Sequence, residues 1–370
     1  MSSQELLLLL NLAVFGAAVV VSGRLTHFLI GAAQSFNMLD YPTERKNHKI
    51  PMPFLGGVSL FLTFWGLVFS GLVFAYFFKQ RFLGAASFEG LLAGIVSLMP
   101  KIAGIFSGSL IVLAVGLLDD KFRWSPLQKL AGQCVAAVIL MRMGLTINLV
   151  DQLGVLGYAI TFVWILLIIN SFNLVDYLDG HCAGIALISS VVFFWLTQIL
   201  GQHLVGLFLI AFAGALLGFL VYNFNPARIY LGDNGSLFIG YLMASFTLLC
   251  RYQAPDVSAA TIFIPVLMFG VPIYDTLSVT VLRLVRGVPP WRGDRNHFAH
   301  RLVKIGLSDR VAVLLSYFIS LTVGFVAILM TQVTSLGTML IALVFCCIIG
   351  IVILLEWYAA KGGRLTEGRF

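Results

Sequence analysis

The stretch Asn170-Ser171-Phe172-Asn173-Leu174-Val175-Asp176-Tyr177-Leu178-Asp179-Gly180 decides how this chain is read. It separates two long apolar runs. Two amides and two carboxylates recur in it at three-residue spacing, and a glycine closes the set. If the segment begins helical, Asn170, Asn173 and Asp176 share one face, because positions three and four apart are neighbours. Such polarity at the edge of a bilayer is costly unless it serves a site, so its purpose has to be sought in the rest of the chain.

The surroundings are those of a membrane. The chain is 60% hydrophobic and 11% charged, with a mean hydropathy of +0.99. A soluble domain cannot hide that much apolar surface. The expected fold class is an all-α polytopic membrane protein forming one domain over residues 1–370, with no internal repeat. A span needs roughly 20 mostly apolar residues. Eleven such runs are read: 5–23, 53–78, 102–118, 126–143, 154–170, 181–200, 203–222, 236–250, 258–282, 311–331 and 335–356. Residues Met1–Glu5 lack the positive region of a cleaved signal, so the first run is expected to be retained. Lys79 to Lys101 is read as an outer loop with an interfacial or partly inserted turn, and Thr146–Val150 as one arm of a small hairpin. Five scattered cysteines have no metal-ligand spacing and imply no disulfide framework.

The net charge of +7 does not point to nucleic acid, because its distribution is topological. On this reading 18 of the 23 Lys and Arg fall on the side reached after the first span. That side is expected to be cytoplasmic, with the N-terminus outside and the C-terminus inside. Asp40, Asp119, Asp120, Asp176, Asp179, Asp233 and Asp275 fall on or near the same side. A transporter of an anionic solute would place such groups near the midplane. Convergence on one face suits an enzyme whose water-soluble substrate arrives from the cytosol, and argues less well for a non-catalytic nucleotide-binding scaffold.

Five polar motifs carry the chemistry. In the first loop, Arg45, Lys46, His48 and Lys49 form a basic cluster that reads as a phosphate contact or as a positive-inside anchor. Pro51, Pro53, Gly56 and Gly57 shape the start of the next helix. Asp119 and Asp120 end an apolar run. Consecutive helical positions diverge by about 100°, so the two should do different work. Acids at a helix C-terminus oppose the macrodipole, which calls for a nearby cation. Amide and carboxylate oxygens in 170–180 suit a hard cation such as Mg²⁺. Gly232-Asp233-Asn234-Gly235-Ser236 turns into a helix N-terminus, where backbone N–H groups face an anion and a carboxylate can face a metal. The last inner loop holds Arg295, His297, His300 and Arg301, suited to phosphate contact and proton transfer. Together the motifs are expected to hold a metal-bound nucleotide. Asp275, beside Pro272 inside an apolar run, reads as structural or as paired with an arginine.

At these residues the chain resembles the polyprenyl-phosphate N-acetylhexosamine-1-phosphate transferases and, more distantly, peptidoglycan translocase I. The resemblance covers roughly residues 35–305. It implies that Asp119 and Asp120 match the family's Asp-Asp pair and Lys129 its lysine near the phosphates. It implies Mg²⁺ (with Mn²⁺ as a substitute) at Asn173 and Asp233, another acidic site position at Asp176, and uracil recognition at Asp179 and Gly180. Asp40, Arg45, Lys46 and His48 match the first-loop signature, and His297, His300 and Arg301 the histidine motif. Ala299 departs from that motif, Lys79–Lys101 looks like an insertion, and Asn234 occupies a variable position.

The activity this implies is transfer of a hexosamine-1-phosphate, by default that of GlcNAc, from a UDP-sugar to undecaprenyl phosphate in a bacterial inner membrane, with release of UMP. Translocase I chemistry on a UDP-muramyl-pentapeptide is the nearest alternative. Catalysis is expected to involve Asp119, Asp120, Asp176 and His297. Direct attack by the lipid phosphate is preferred to an aspartyl intermediate, because a phosphate monoester with a second pKa near ~6 is already largely dianionic. The partners expected are the two substrates and the bilayer, with a homodimer left open.

Overall fold

The computed structural model describes residues 3–41, 51–78, 86–147, 153–252, 263–289 and 296–332, together with scattered helical residues between 337 and 354. It divides into two compact units, Met1–Arg251 and Tyr252–Phe370. Among the described residues the all-α expectation holds apart from one two-residue antiparallel pair, in which Leu39 faces Pro53 and Asp40 faces Met52. Arg45, Lys46 and His48 lie between these strands and outside the described residues, as do Asn148–Val150 and Arg295.

Among the described residues the first unit holds eight helices: α1 (Ser3–Ala32), α2 (Gly56–Phe78), α3 (Ala86–Phe122), α4 (Pro126–Arg142), α5 (Val155–Leu174), α6 (His181–Ile199), α7 (His203–Asn223) and α8 (Gly232–Leu249). α8 is the pivot. Every residue from Asn234 to Leu249 is buried, against α2, α3, α5 and α6 among others. A helix apolar all round belongs in an interior.

Helices in lipid approach closely where residues are small, and α8 is met by glycines. A Cβ on Gly116 of α3 would lie 2.3 Å from Asn234 Cα, and one on Gly240 of α8 would lie 2.6 Å from Ile169 Cα of α5. Polar bonds fix the register. Tyr241 Oη donates to Gly104 O at 3.0 Å, and Trp164 Nε1 donates to Thr247 Oγ1 at 3.0 Å. Deeper in the bundle, Phe61, Phe64, Phe212, Phe238 and Phe246 pack edge-on. That geometry sets the positive ring edge against the negative ring face.

The second unit contains α9 (Ile264–Met268), α10 (Gly270–Val285), α11 (Phe298–Lys304) and α12 (Asp309–Leu329). The run 258–282, read as one span, is broken at Phe269. Pro272 sits in the first turn of α10, where its missing N–H breaks no helical bond.

Among the described residues seven helices are long and apolar enough to cross a membrane: 4–32, 56–77, 94–122, 155–174, 181–199, 203–223 and 309–329. α4 is a 17-residue helix and α8 starts in polar residues. The chain is thus a multi-pass membrane protein. One expectation is corrected. Residues 86–101 are not a loop but the first part of α3, a continuous 37-residue helix that includes Pro100. The apolar run Leu91–Leu98 was too short to span alone, but it extends the next run. Pro100 removes one N–H donor without ending the helix.

If the α3–α8 seam is as tight as this, Gly116→Val should destabilise the protein by roughly 1–3 kcal/mol through overpacking. Gly66→Ala, where no atom lies within 4 Å of the added carbon, should be neutral or mildly stabilising. Thermal unfolding of the purified chain in detergent checks this, and equal midpoints for the two variants would contradict the packing.

Candidate active site

Four helix ends of the first unit converge. α3 ends in Asp119 and Asp120, α4 opens with Lys129 in its first turn, α5 closes with Asn173 in its last, and α8 starts at Gly232. α4 begins cleanly because Ser125 and Gln128 form a capping box and Pro126 fits the first helical position.

Asp119 and Asp120 diverge as adjacent helical positions must. Asp120 turns to the start of α8. Its Oδ1 accepts from Asp233 N at 2.9 Å, and its Oδ2 from Asn234 N at 3.1 Å and Asn234 Nδ2 at 2.6 Å. These are the second and third N–H groups of α8, the ones an N-cap side chain satisfies. The cap residue by position, Leu231, has no side-chain oxygen, so another helix supplies the cap. The start of α8 is also tied to the approach to α2, where Gly56 N and Gly57 N donate to Tyr230 O and Leu231 O at 3.2 Å.

Asp119 turns instead to Lys129, whose Nζ lies 2.7 Å from Asp119 Oδ2 and also donates to Asp233 Oδ2. Asn173 Nδ2 donates to Asp233 Oδ1 at 2.7 Å and to Ser236 Oγ at 2.8 Å. Each oxygen of Asp233 is therefore held by a different helix. Burial pushes the Asp233 carboxyl upward, but its hydrogen bond with Asp119, the Lys129 charge and the Asn173 amide bring it below the usual carboxylate range. Asp176, half-buried in the turn after α5, goes the other way. Desolvation and the charges of Asp233, Asp120 and Asp179 raise it well above that range.

Asp179 and Gly180 complete that turn. Asp179 Oδ2 accepts from Ala227 N at 3.0 Å and Asn225 Nδ2 at 3.2 Å, which binds the 225–227 segment. Gly180 adopts φ +74, a left-handed conformation natural to glycine, and its N–H donates to Asn223 Oδ1 at 3.1 Å. Tyr230 faces the same region. Its hydroxyl is pushed up to about 12 by burial and by the carboxylates of Asp179 and Asp40.

Among the described residues no three His, Cys, Asp or Glu are set to hold a metal. The donor set still suits a hard cation. Four carboxylates (Asp119, Asp120, Asp176 and Asp233) lie in the cluster with one ammonium, which pairs with only two of them, Asp119 and Asp233, and the candidate metal-binding atoms are oxygens. Asn173 Oδ1 and the Asp176 carboxylate take no hydrogen bond from a described residue. Mg²⁺ is usually held by one or two carboxylates while its remaining ligands are waters and substrate phosphate, so a full protein cage is not required.

In the second unit Asp275 pairs with a histidine and, among the described residues, with no arginine. Asp275 Oδ2 lies 2.9 Å from His297 Nδ1, and Oδ1 accepts from Phe298 N. Both side chains are buried. Arg301 Nη2 donates to Ser278 Oγ at 2.9 Å, while His300 is half-buried on α11.

The cluster thus unites Asp119, Asp120, Lys129, Asn173, Asp176 and Asp233. One residue was missed. Asn234, set aside as variable, is fully buried and donates to both Phe54 O (2.7 Å) and Asp120. Its sequence signal was faint, consisting only of a polar side chain between Gly232 and Gly235.

The family description "Glycosyl transferase family 4" matches residues 102–251, which include the whole cluster. A Bacillus subtilis protein named a probable undecaprenyl-phosphate N-acetylglucosaminyl 1-phosphate transferase is 32% identical, over 84% of this chain and 83% of its own. A Mycolicibacterium smegmatis decaprenyl-phosphate N-acetylglucosaminephosphotransferase is 31% identical, over 86% of this chain and 80% of its own. An Escherichia coli undecaprenyl-phosphate alpha-N-acetylglucosaminyl 1-phosphate transferase is 24% identical, over 76% and 74%.

Removing the cap from α8 should show directly. Asp120→Ala is expected to lower stability by about 1–2 kcal/mol. Asp120→Asn, which keeps an accepting oxygen, should lose less. Unfolding in detergent ranks the two, and the reverse order would refute capping by Asp120.

Proposed function

The chain belongs to glycosyl transferase family 4, and from that premise we propose that it transfers N-acetylglucosamine-1-phosphate from the UDP-sugar to a polyprenyl phosphate, releasing UMP. The single observation that carries the chemistry is the convergence of Asp119, Lys129, Asn173 and Asp233 in one hydrogen-bonded cluster built from four helix ends. The names of the relatives support the sugar and the lipid. Undecaprenyl phosphate is the acceptor in this reading, and the starting of a cell-envelope polysaccharide is its physiological sense.

The lipid phosphate oxygen attacks the β-phosphorus of the donor. A bond forms between them as the bond from that phosphorus to the bridging oxygen breaks, and UMP leaves with the electron pair. The attacking dianion needs no strong base. Asp119 positions the acceptor phosphate beside Lys129. Lys129 supplies positive charge to the phosphates, and it is aimed before substrate arrives because two carboxylates hold its ammonium. Asn173 and Asp233 would hold the divalent cation, with Asp176 as a further oxygen donor. When bound, Mg²⁺ neutralises the diphosphate. Asp179 and Gly180 face the uracil. Asp120 acts through Asp233 and Asn234, whose backbone it fixes. Positioning and charge stabilisation carry most of the rate.

By the family resemblance His297 and His300 are phosphate-binding residues, and within the second unit Asp275 holds His297. Arg301 and Arg295 add positive charge to that motif, Arg45, Lys46 and His48 do so from the first loop, and Asp40 belongs to the same substrate-binding loop. The site opens to the cytoplasm of a bacterial inner membrane. The 18 basic residues on one side support that orientation, and the eleven-span count is kept with it.

Purified protein with undecaprenyl phosphate, Mg²⁺ and a panel of UDP-sugars should release UMP fastest with UDP-GlcNAc, and no release with any sugar would sink the reading. In the same assay Asp233→Asn should lower turnover and raise the Mg²⁺ requirement, each by about 10–100-fold. Orientation has its own test. In a cysteine-free background Lys121→Cys should react with an impermeant thiol reagent only from the cytoplasmic face, and Arg142→Cys only from the outer face. The reverse labelling would invert the topology.

A further inference from the structure

Four residues beyond Lys129 on α4, and three before Asn173 on α5, two neutral amides meet. Asn170 Nδ2 donates to Gln133 Oε1 at 2.8 Å, and Gln133 Nε2 donates back to Asn170 Oδ1 at 3.4 Å. Asn170 Nδ2 also donates to Leu166 O at 2.8 Å. Gln133 is 1% exposed.

Stability does not account for this pair. Interhelical polar bonds in membrane proteins contribute little net, and apolar side chains would fill the seam as well. The placement of the pair is more telling. Offsets of three and four residues keep a helical face, so Gln133 lies beneath Lys129 and Asn170 beneath Asn173. The direction from pair to cluster is towards the start of α4 and the end of α5, which is the shared end of these antiparallel helices. Lys129 and Asn173 then each bind a different oxygen of Asp233. Both reach it only if α4 and α5 keep one separation and one relative rotation, about one turn away from the amides. Setting the register is the best-attested use of a buried polar pair. Neutral amides do this in apolar surroundings without adding a charge to a site that already has four carboxylates and one ammonium.

We infer that Gln133 and Asn170 are positioning residues for the transferase site, clamping α4 to α5 so that Lys129 and Asn173 hold Asp233 in its cation-binding arrangement. This rests on the reading of Asp233 as a cation ligand given above. The pair itself touches neither cation nor substrate.

The full-length chain, purified in detergent, allows a test that does not depend on turnover. Mn²⁺ is titrated into the protein and free Mn²⁺ is followed by electron paramagnetic resonance, with UMP release and thermal unfolding measured on the same samples. Gln133→Met keeps the length of the side chain and removes its amide. It should raise the half-saturating Mn²⁺ concentration and lower kcat about 10–100-fold, with the KM for the UDP-sugar nearly unchanged and unfolding close to wild type. Asn170→Leu should do the same. The exchanged pair, Gln133→Asn with Asn170→Gln, should restore Mn²⁺ binding and kcat above either single change. Wild-type Mn²⁺ binding and kcat in Gln133→Met overturn the positioning role, as does an exchanged pair no better than the single variants. A wild-type chain that binds no Mn²⁺ overturns the cation reading and this inference with it.

Discussion

Two helix ends of unlike sign meet at Asp120, and the site depends on that meeting. α8 becomes buried within its first turn, from Asn234 on, so its free N–H groups have little water to bond. Asp120 satisfies the N–H groups of Asp233 and Asn234. The same contact resolves the opposite difficulty on α3, where a carboxylate stands at a helix C-terminus against the local dipole. The positive end of α8 offsets the negative end of α3. Gly57 and Gly116 let the helices come this close, since a side chain on either would strike Asn234.

From that junction the distribution of roles follows. Asp120 is held to the backbone, and that fixes where Asp233 starts. Lys129 and Asn173 then reach Asp233 from two other helices. A carboxylate clamped between an ammonium and an amide stays ionised. Asp176, lacking such partners among the described residues and facing three other carboxylates, is driven towards its neutral form. Neighbouring acids in one small volume are thereby shifted in opposite directions.

Much of this could be read from the sequence, for physical reasons. Polar groups in a chain 60% hydrophobic stand out, so the 170–180 stretch, the Asp119-Asp120 pair and the Gly-Asp turn were visible as candidates. The divergence of Asp119 and Asp120 follows from helix geometry alone. Residues 86–101 were misread because Lys79, Arg81, Lys101 and Pro100 imitate the punctuation of a loop, whereas α3 runs through the last two. Asn234 was passed over because its worth lies in a contact with Phe54, 180 positions away in sequence. Gln133 left a usable trace as an amide inside an apolar run four residues from Lys129. The partner of Asp275 was open between an arginine and a purely structural role, and only folding selected His297.

The burial of α8 from Asn234 to Leu249 has a consequence for how the protein lives in different bilayers. Helices exposed to lipid respond to a thicker or thinner hydrocarbon layer by tilting or by drawing the membrane to their own length. α8 is screened from acyl chains by its neighbours, so mismatch is absorbed by outer helices such as α1, whose Leu8, Leu12 and Phe28 are well exposed. The depth of Asp233 is then referenced to the protein's own interior. Changes in lipid composition strain the rim of the bundle first and reach the chemistry last.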